Sequence, residues 1–264
     1  MRIEARSVTF NYGDKDVLKN VSFKADSGEI VAFLGPNGVG KSTLFKCLLG
    51  FLKPQKGEVL IDDKNVLSYS DRERAKAIAY IPQSFNPVYN HTVLESVLMG
   101  YANTIPLFSM PGEEEKKRAE AILSSMSILS LKDRGTKKIS GGEKSLMLLS
   151  RALMQDAKIL IMDEPTASLD FANSHRVMKK IVELKEKGYT IIFSTHSPLL
   201  ATEYSTKIVA LRDGKVLKEG SADEVMTSEM LSKLYSYPIT VETIEIKGKK
   251  HFILVPGEEN GQNR

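Results

Sequence analysis

Four short stretches of this chain carry side chains able to work on a phosphate. The first is Gly35-Pro-Asn-Gly-Val-Gly-Lys-Ser-Thr43, which fits the pattern G-x-x-x-x-G-K-[ST]. Its glycines let the backbone curl until successive N–H groups face one anion. A helix starting there adds its partial positive charge. In such a loop Asn37, Gly38, Val39 and Gly40 surround the phosphates and Lys41 reaches the β- and γ-phosphates. The Ser42 hydroxyl holds Mg²⁺, and Thr43 bonds a phosphate oxygen. The loop alone does not choose between kinase, GTPase and ATPase.

The second stretch, Ile159-Leu-Ile-Met-Asp-Glu-Pro165, is an apolar run ending in two carboxylates. A buried strand delivers such groups rigidly to the sheet edge where ligands bind. Asp163 is placed to orient a Mg²⁺ shell, and Glu164 to polarise an attacking water as general base. The third, Ser140-Gly-Gly-Glu143, opens a helical stretch over Lys144–Gln155. It is a capping box, and its two glycines also make a second anion-binding helix start. The fourth is Phe193-Ser-Thr-His-Ser197, where His196 follows a buried strand within reach of a γ-phosphate. His91, His175 and His251 lack metal-ligand spacing and read as ordinary.

These groups need a rigid sheet to hold them. Ile3, Ala5, Val8 and Phe10 alternate as in a strand, and Val17–Phe23 reads as a second. Glu29–Leu34 is a continuous apolar run, the mark of a strand buried on both faces. The helix after the loop buries Leu44, Phe45, Leu48 and Leu49 and stops at Gly50. Gly57–Ile61 and Ala77–Ile81 read as strands. From about Ser84 to Ala157 the pattern turns helical, with a capping box at Thr92–Glu95 and a polar-faced helix over Glu113–Ser127. Strand character returns at Ile159–Met162, Tyr189–Ser194 and Lys207–Leu211. Thr240–Ile246 and His251–Val255 flank Lys247-Gly-Lys-Lys250 as a β-hairpin, and Pro256–Arg264 is polar.

The 264 residues suffice for one α/β domain with a sizeable insertion. A net charge of +4 is a weak basic signal and argues for no nucleic-acid partner. The single cysteine, Cys47, excludes an internal disulfide and fits a reducing cytosol. No stretch is apolar enough to cross a bilayer, and Met1–Gly13 has no signal-peptide character. The expectation is a soluble chain that serves a membrane only as a bound partner.

Taken in order, these motifs resemble the ATP-binding subunit of ABC transporters over nearly the whole chain. The resemblance implies an α/β fold: a P-loop NTPase core with mixed sheet, an antiparallel β subdomain and an inserted α-helical subdomain. The ATPase domain would span 1–235, with the insertion at about 84–157, and 236–264 would form the hairpin appendage and tail. It implies that Tyr12 stacks on adenine and that Gln83, in Tyr80-Ile-Pro-Gln83, senses Mg²⁺ and faces the transmembrane partner. Ile139-Ser-Gly-Gly-Glu143 matches the signature, Ser168-Leu-Asp170 the D-loop and His196 the switch histidine. The signature departs from the usual Leu-Ser-Gly-Gly-Gln at Ile139 and Glu143, and Lys144-Ser-Leu-Met147 replaces an arginine-rich start. Ser140, Gly141 and Gly142, which the family uses on phosphate, are intact.

The resemblance further implies ATP and Mg²⁺ as ligands and a head-to-tail dimer. Each ATP would lie between Lys41's loop and the Ser140–Gly142 segment of the other copy. Permease subunits would be partners, an extracytoplasmic substrate-binding protein an indirect one, and the site of action the cytoplasmic face of the cell membrane. His91–Gly100, Pro106–Pro111 and Leu231–Tyr235 followed by a hairpin resemble the subfamily that imports metal chelates: iron–siderophore, haem, cobalamin. The alternative is a non-transport ABC ATPase of iron–sulfur cluster assembly, which would share every nucleotide motif. A DNA-repair ATPase would need long heptads, absent here. A small-molecule kinase would leave the signature and D-loop without a use.

Overall fold

The apolar run before the glycine-rich loop is buried on both faces, and the other layers form around it. The structure is a computed structural model describing residues 1–85, 87–103 and 110–258. Strands β1 (Ile3–Tyr12) and β2 (Lys15–Ala25) precede β3 (Ile30–Leu34) and helix α1 (Lys41–Leu48). Next come β4 (Lys56–Ile61), β5 (Lys64–Asn65), α2 (Asp71–Ala77) and β6 (Ile78–Ile81). Helices α3 (Val93–Leu98), α4 (Glu113–Ser125) and α5 (Gly141–Met154) form the helical insertion. The core resumes with β7 (Ile159–Met162), α6 (Phe171–Glu186), β8 (Thr190–Thr195), α7 (Pro198–Tyr204) and β9 (Lys207–Arg212). The chain then runs through β10 (Lys215–Gly220), α8 (Ala222–Val225), α9 (Ser228–Tyr235), β11 (Ile239–Ile246) and β12 (Lys249–Pro256).

The main sheet has the order β10-β9-β3-β8-β7-β6, parallel except for β10. A second, antiparallel sheet has the order β2-β1-β4-β5. Side chains of the central strands alternate between two cores. Ile30, Ala32 and Leu34 face the helical side, with Leu160, Met162, Ile191 and Phe193. Val31 and Phe33 face α1 and the antiparallel sheet, with Ile159, Ile161 and Ile192. The two-residue period of a strand thus feeds both layers at once, which is why these segments read as unbroken apolar runs.

Two expectations shift. Ala77 ends helix α2 instead of opening a strand. Ser70 and Glu73 form a full capping box ahead of it, and alanine is the strongest helix former. Helix α5 starts at Gly141, not Lys144, because Ser140 is its N-cap. Strand β10 follows an Asp213–Gly214 turn in which both residues have positive φ, 50° and 76°, the hairpin signal of a type I′ turn. Residues 106–109 of the Pro106–Pro111 segment and residues 259–264 of the tail lie outside the described residues. No described helix is long and apolar enough to cross a membrane.

Candidate functional site

Four strands end at the same edge of the main sheet, and each delivers one group. β3 leads into the glycine-rich loop, β6 through Pro82 into Gln83, β7 into Asp163 and Glu164, and β8 into His196. Because β3, β8, β7 and β6 are neighbours in that order, groups more than 150 positions apart in sequence meet at one edge. The Asp163 N–H donates to the Ile81 carbonyl at 2.9 Å, holding the ends of β7 and β6 together.

A cleft of about 720 Å³ opens there. It is lined by Tyr12, Asn37, Gly38, Val39, Gly40, Lys41, Ser42, Thr43, Gln83, Asp163 and Glu164, all expected from sequence. Lys15, Asp16, Val17, Lys19, Asp213 and Gly214 join them, and these were missed. Tyr12 stands at the mouth, its ring edge-on to Phe10 with centroids 4.9 Å apart. Lys15 and Asp16 open the strand after Tyr12, and Asp213–Gly214 is the β9–β10 turn. The Asp-Gly pair was a visible turn signal, but nothing local says that the turn borders the cleft.

The loop's shape needs glycine at two places. Gly40 has φ 108°, and a Cβ on it would lie 3.0 Å from the Val17 carbonyl oxygen. A Cβ on Gly35 would meet the Leu211 carbonyl oxygen at 2.2 Å. Lys41 folds back across the loop, its Nζ donating to the Gly35 carbonyl at 2.6 Å and the Pro36 carbonyl at 3.0 Å. Burial pushes the Lys41 ammonium below its ordinary value, while the Glu164 and Asp163 carboxylates pull it back up.

Glu164 is the hub of the polar contacts. Its carboxylate lies 3.9 Å from Lys41 Nζ and 3.4 Å from His196 Nδ1. Gln83 Nε2 donates to it at 3.2 Å. The residue is 9% exposed and has φ 46°, a backbone cost for a non-glycine residue of the kind found at functional sites. Ser194, buried on β8, holds both acids: its hydroxyl donates to Asp163 Oδ1 at 2.6 Å and accepts the Glu164 N–H at 2.8 Å. Ser194→Ala is expected to lower stability by about 1–3 kcal/mol, the cost of two buried groups losing their partner. Urea unfolding checks this, and kcat should fall more than KM rises.

His196 is not part of the cleft lining. It sits on the far side of Glu164, in an adjoining cavity with Thr166, Ser168 and Thr195. Ser140 and Gly141 are exposed and lie outside the cleft, with Gly142 buried behind them. Ser140 Oγ accepts the Glu143 N–H at 3.3 Å, and Glu143 accepts the Ser140 N–H at 2.7 Å. The capping box therefore forms, and Glu143 has a use at its position. A single chain thus has its glycine-rich loop inside the cleft and its Ser140–Gly141 segment exposed outside it.

A family model described as ABC transporter matches residues 18–167. The chain belongs to the ABC transporter family. It is 39% identical over 241 residues to a Helicobacter pylori protein named "Probable iron chelatin transport ATP-binding protein", covering 90% of this chain and 94% of that one. A structure of a metal-chelate type ABC transporter in an inward-facing conformation aligns with TM-score 0.87 and 28% identity, covering 97% of this chain and 98% of its own. A dimeric ATP-binding cassette in a post-hydrolysis state, bound to ADP and phosphate, aligns with TM-score 0.72 and 30% identity, covering 83% of this chain and 98% of its own. This ABC protein is accordingly an ATP-binding transporter subunit with ATPase activity, and the cassette of similar fold in the post-hydrolysis state is a dimer.

The cleft's donors suit ATP with a hard divalent cation. Ser42, Gln83 and Asp163 line it and carry side-chain oxygens, the ligand type Mg²⁺ prefers. Among the described residues no group of three or more His, Cys, Asp or Glu side chains is placed to hold a metal alone.

Proposed function

We propose that this chain is the ATP-hydrolysing motor of a metal-chelate importer, working as a head-to-tail pair against the cytoplasmic face of a permease. The observation that carries the cargo class is the 97% alignment with the metal-chelate type transporter. The uncovered remainder is shorter than the β11–β12 hairpin, so the aligned stretch takes in at least part of that appendage as well as the nucleotide core. The iron chelatin relative supports the same class. An extracytoplasmic binding protein would hand the chelate to the permease.

In this reading the Asn37–Thr43 backbone and Lys41 bind the triphosphate, and Tyr12 takes the adenine. Ser42, Gln83 and Asp163 would hold Mg²⁺, which when bound neutralises phosphate charge. Glu164 accepts the proton of the attacking water, and His196 and Gln83 hold its carboxylate in place. The outward-facing Ser140–Gly142 segment of one copy closes over the ATP of the other. Bound triphosphate thereby draws the two chains together, and hydrolysis releases them.

The test is co-purification of the tagged protein from its native membranes in detergent, followed by mass spectrometry. A polytopic permease is expected, and reconstituted vesicles should then take up a ferric or cobalt chelate when ATP is supplied. Recovery of soluble assembly proteins alone overturns the transport reading, and export in place of uptake overturns its direction.

A further inference from the structure

The C-terminal helix reaches back to the switch histidine. Tyr235, the last residue of α9, donates its hydroxyl to the His196 backbone carbonyl at 2.9 Å. His196 lies between the end of β8 and the start of α7; the N–H of the peptide that follows it, on Ser197, donates to Thr195 Oγ1 at 3.0 Å, and Tyr235 holds the carbonyl end of the same peptide. Tyr235 is itself firmly held. Leu231 and Leu234 of the same helix are fully buried, and burial keeps the Tyr235 phenol protonated by raising its pKa. A protonated phenol is the form that can donate.

The hairpin is fastened to the same helix. Ser228 Oγ accepts the Val241 N–H at 2.9 Å, and Ser232 Oγ accepts the Ile239 N–H at 2.8 Å. These serines are one turn apart and put β11 on the helix face that leads to Tyr235. Ser236, at the C-cap with φ 54°, accepts from Arg212. Arg212 in turn precedes Asp213 and Gly214 of the cleft wall. The end of α9 therefore touches the His196 carbonyl on one side and, on the other, the residue just before the β9–β10 turn of the cleft wall.

We propose that Tyr235 is a positioning residue for ATP hydrolysis, holding the His196 peptide so that the imidazole stays against Glu164 and linking the C-terminal hairpin to the hydrolytic step. This rests on the role given to His196 above. It predicts that losing one hydroxyl distant from the nucleotide slows turnover without weakening binding.

The test uses the full chain carrying Tyr235→Phe, His196→Ala, or both. Hydrolysis of radiolabelled ATP is followed long enough to register slow rates, and ATP affinity and thermal midpoint are measured alongside. Loss of one neutral hydrogen bond predicts a roughly 3- to 10-fold lower kcat in Tyr235→Phe. KM and the thermal midpoint should stay near wild type, and Tyr235→Phe should cost nothing further in the His196→Ala background. Wild-type kcat in Tyr235→Phe, or losses that multiply in the double variant, overturns the proposal while leaving the role of His196 intact. Wild-type turnover in His196→Ala removes both.

Discussion

Glu164→Gln is expected to bind ATP as well as wild type while its kcat falls by roughly 10²- to 10⁴-fold, the range for removing a positioned general base. The change removes the charge that faces Lys41 Nζ and His196 Nδ1 and leaves the other contacts that place this side chain. The Ser194 hydroxyl holds the backbone N–H of residue 164, not its side chain. The amide keeps an oxygen that can accept from Gln83 Nε2, now 3.2 Å from the carboxylate. Packing at a site only 9% exposed is preserved because the side chains are isosteric. What disappears is the ability to take a proton. The variant should therefore accumulate with ATP bound, and its dimer should outlast that of wild type on a sizing column. Phosphate release, ATP affinity and dimer lifetime together check the prediction. A kcat within tenfold of wild type would mean that another group accepts the proton.

Lys41→Met should fail one step earlier, in binding. Methionine keeps the apolar stem that lies in the buried loop but removes the ammonium. Truncating one partner of a buried, hydrogen-bonded charge pair costs about 2–5 kcal/mol. Applied to the phosphates, that is a roughly 30- to 4000-fold weaker ATP affinity. The loss should be specific to the polyphosphate, so adenosine affinity should hardly move. Titration calorimetry with ATP and with adenosine separates the two. An ATP affinity within threefold of wild type would mean that the backbone N–H groups carry the phosphates alone. The two variants divide the site: Lys41→Met blocks entry to the cycle, and Glu164→Gln blocks exit.

Some of this architecture was legible in local chemistry. Buried strands advertise themselves because both faces need apolar side chains, as in Ile30–Leu34 and Ile159–Met162. Helix starts do so because a cap needs an oxygen and a partner three residues on, as in Ser140 with Glu143 and Thr92 with Glu95. Helix α2 carries the same sign in Ser70 and Glu73, and reading Ala77 as strand passed over it. Residues whose importance lies in a contact across elements left no such sign. Ser194 is one serine in an apolar strand until β8 is laid beside β7. Tyr235 is an ordinary helix-terminal aromatic until α9 is packed against the turn after β8.

By itself the sequence determined which groups exist and how each is presented: a glycine-rich loop before a helix, two acids ending an apolar strand, a histidine ending another. These are decided within a few residues, by the conformations glycine allows and by the period of side chains along a strand. The tertiary structure alone decided who meets whom. The strand order β3-β8-β7-β6 sets Lys41, His196 and Gln83 around the Glu164 carboxylate. It also leaves Ser140 and Gly141 facing outward, away from the cleft of their own chain. Strand order follows from how whole faces bury against each other, a property of the assembled layers that no single segment encodes.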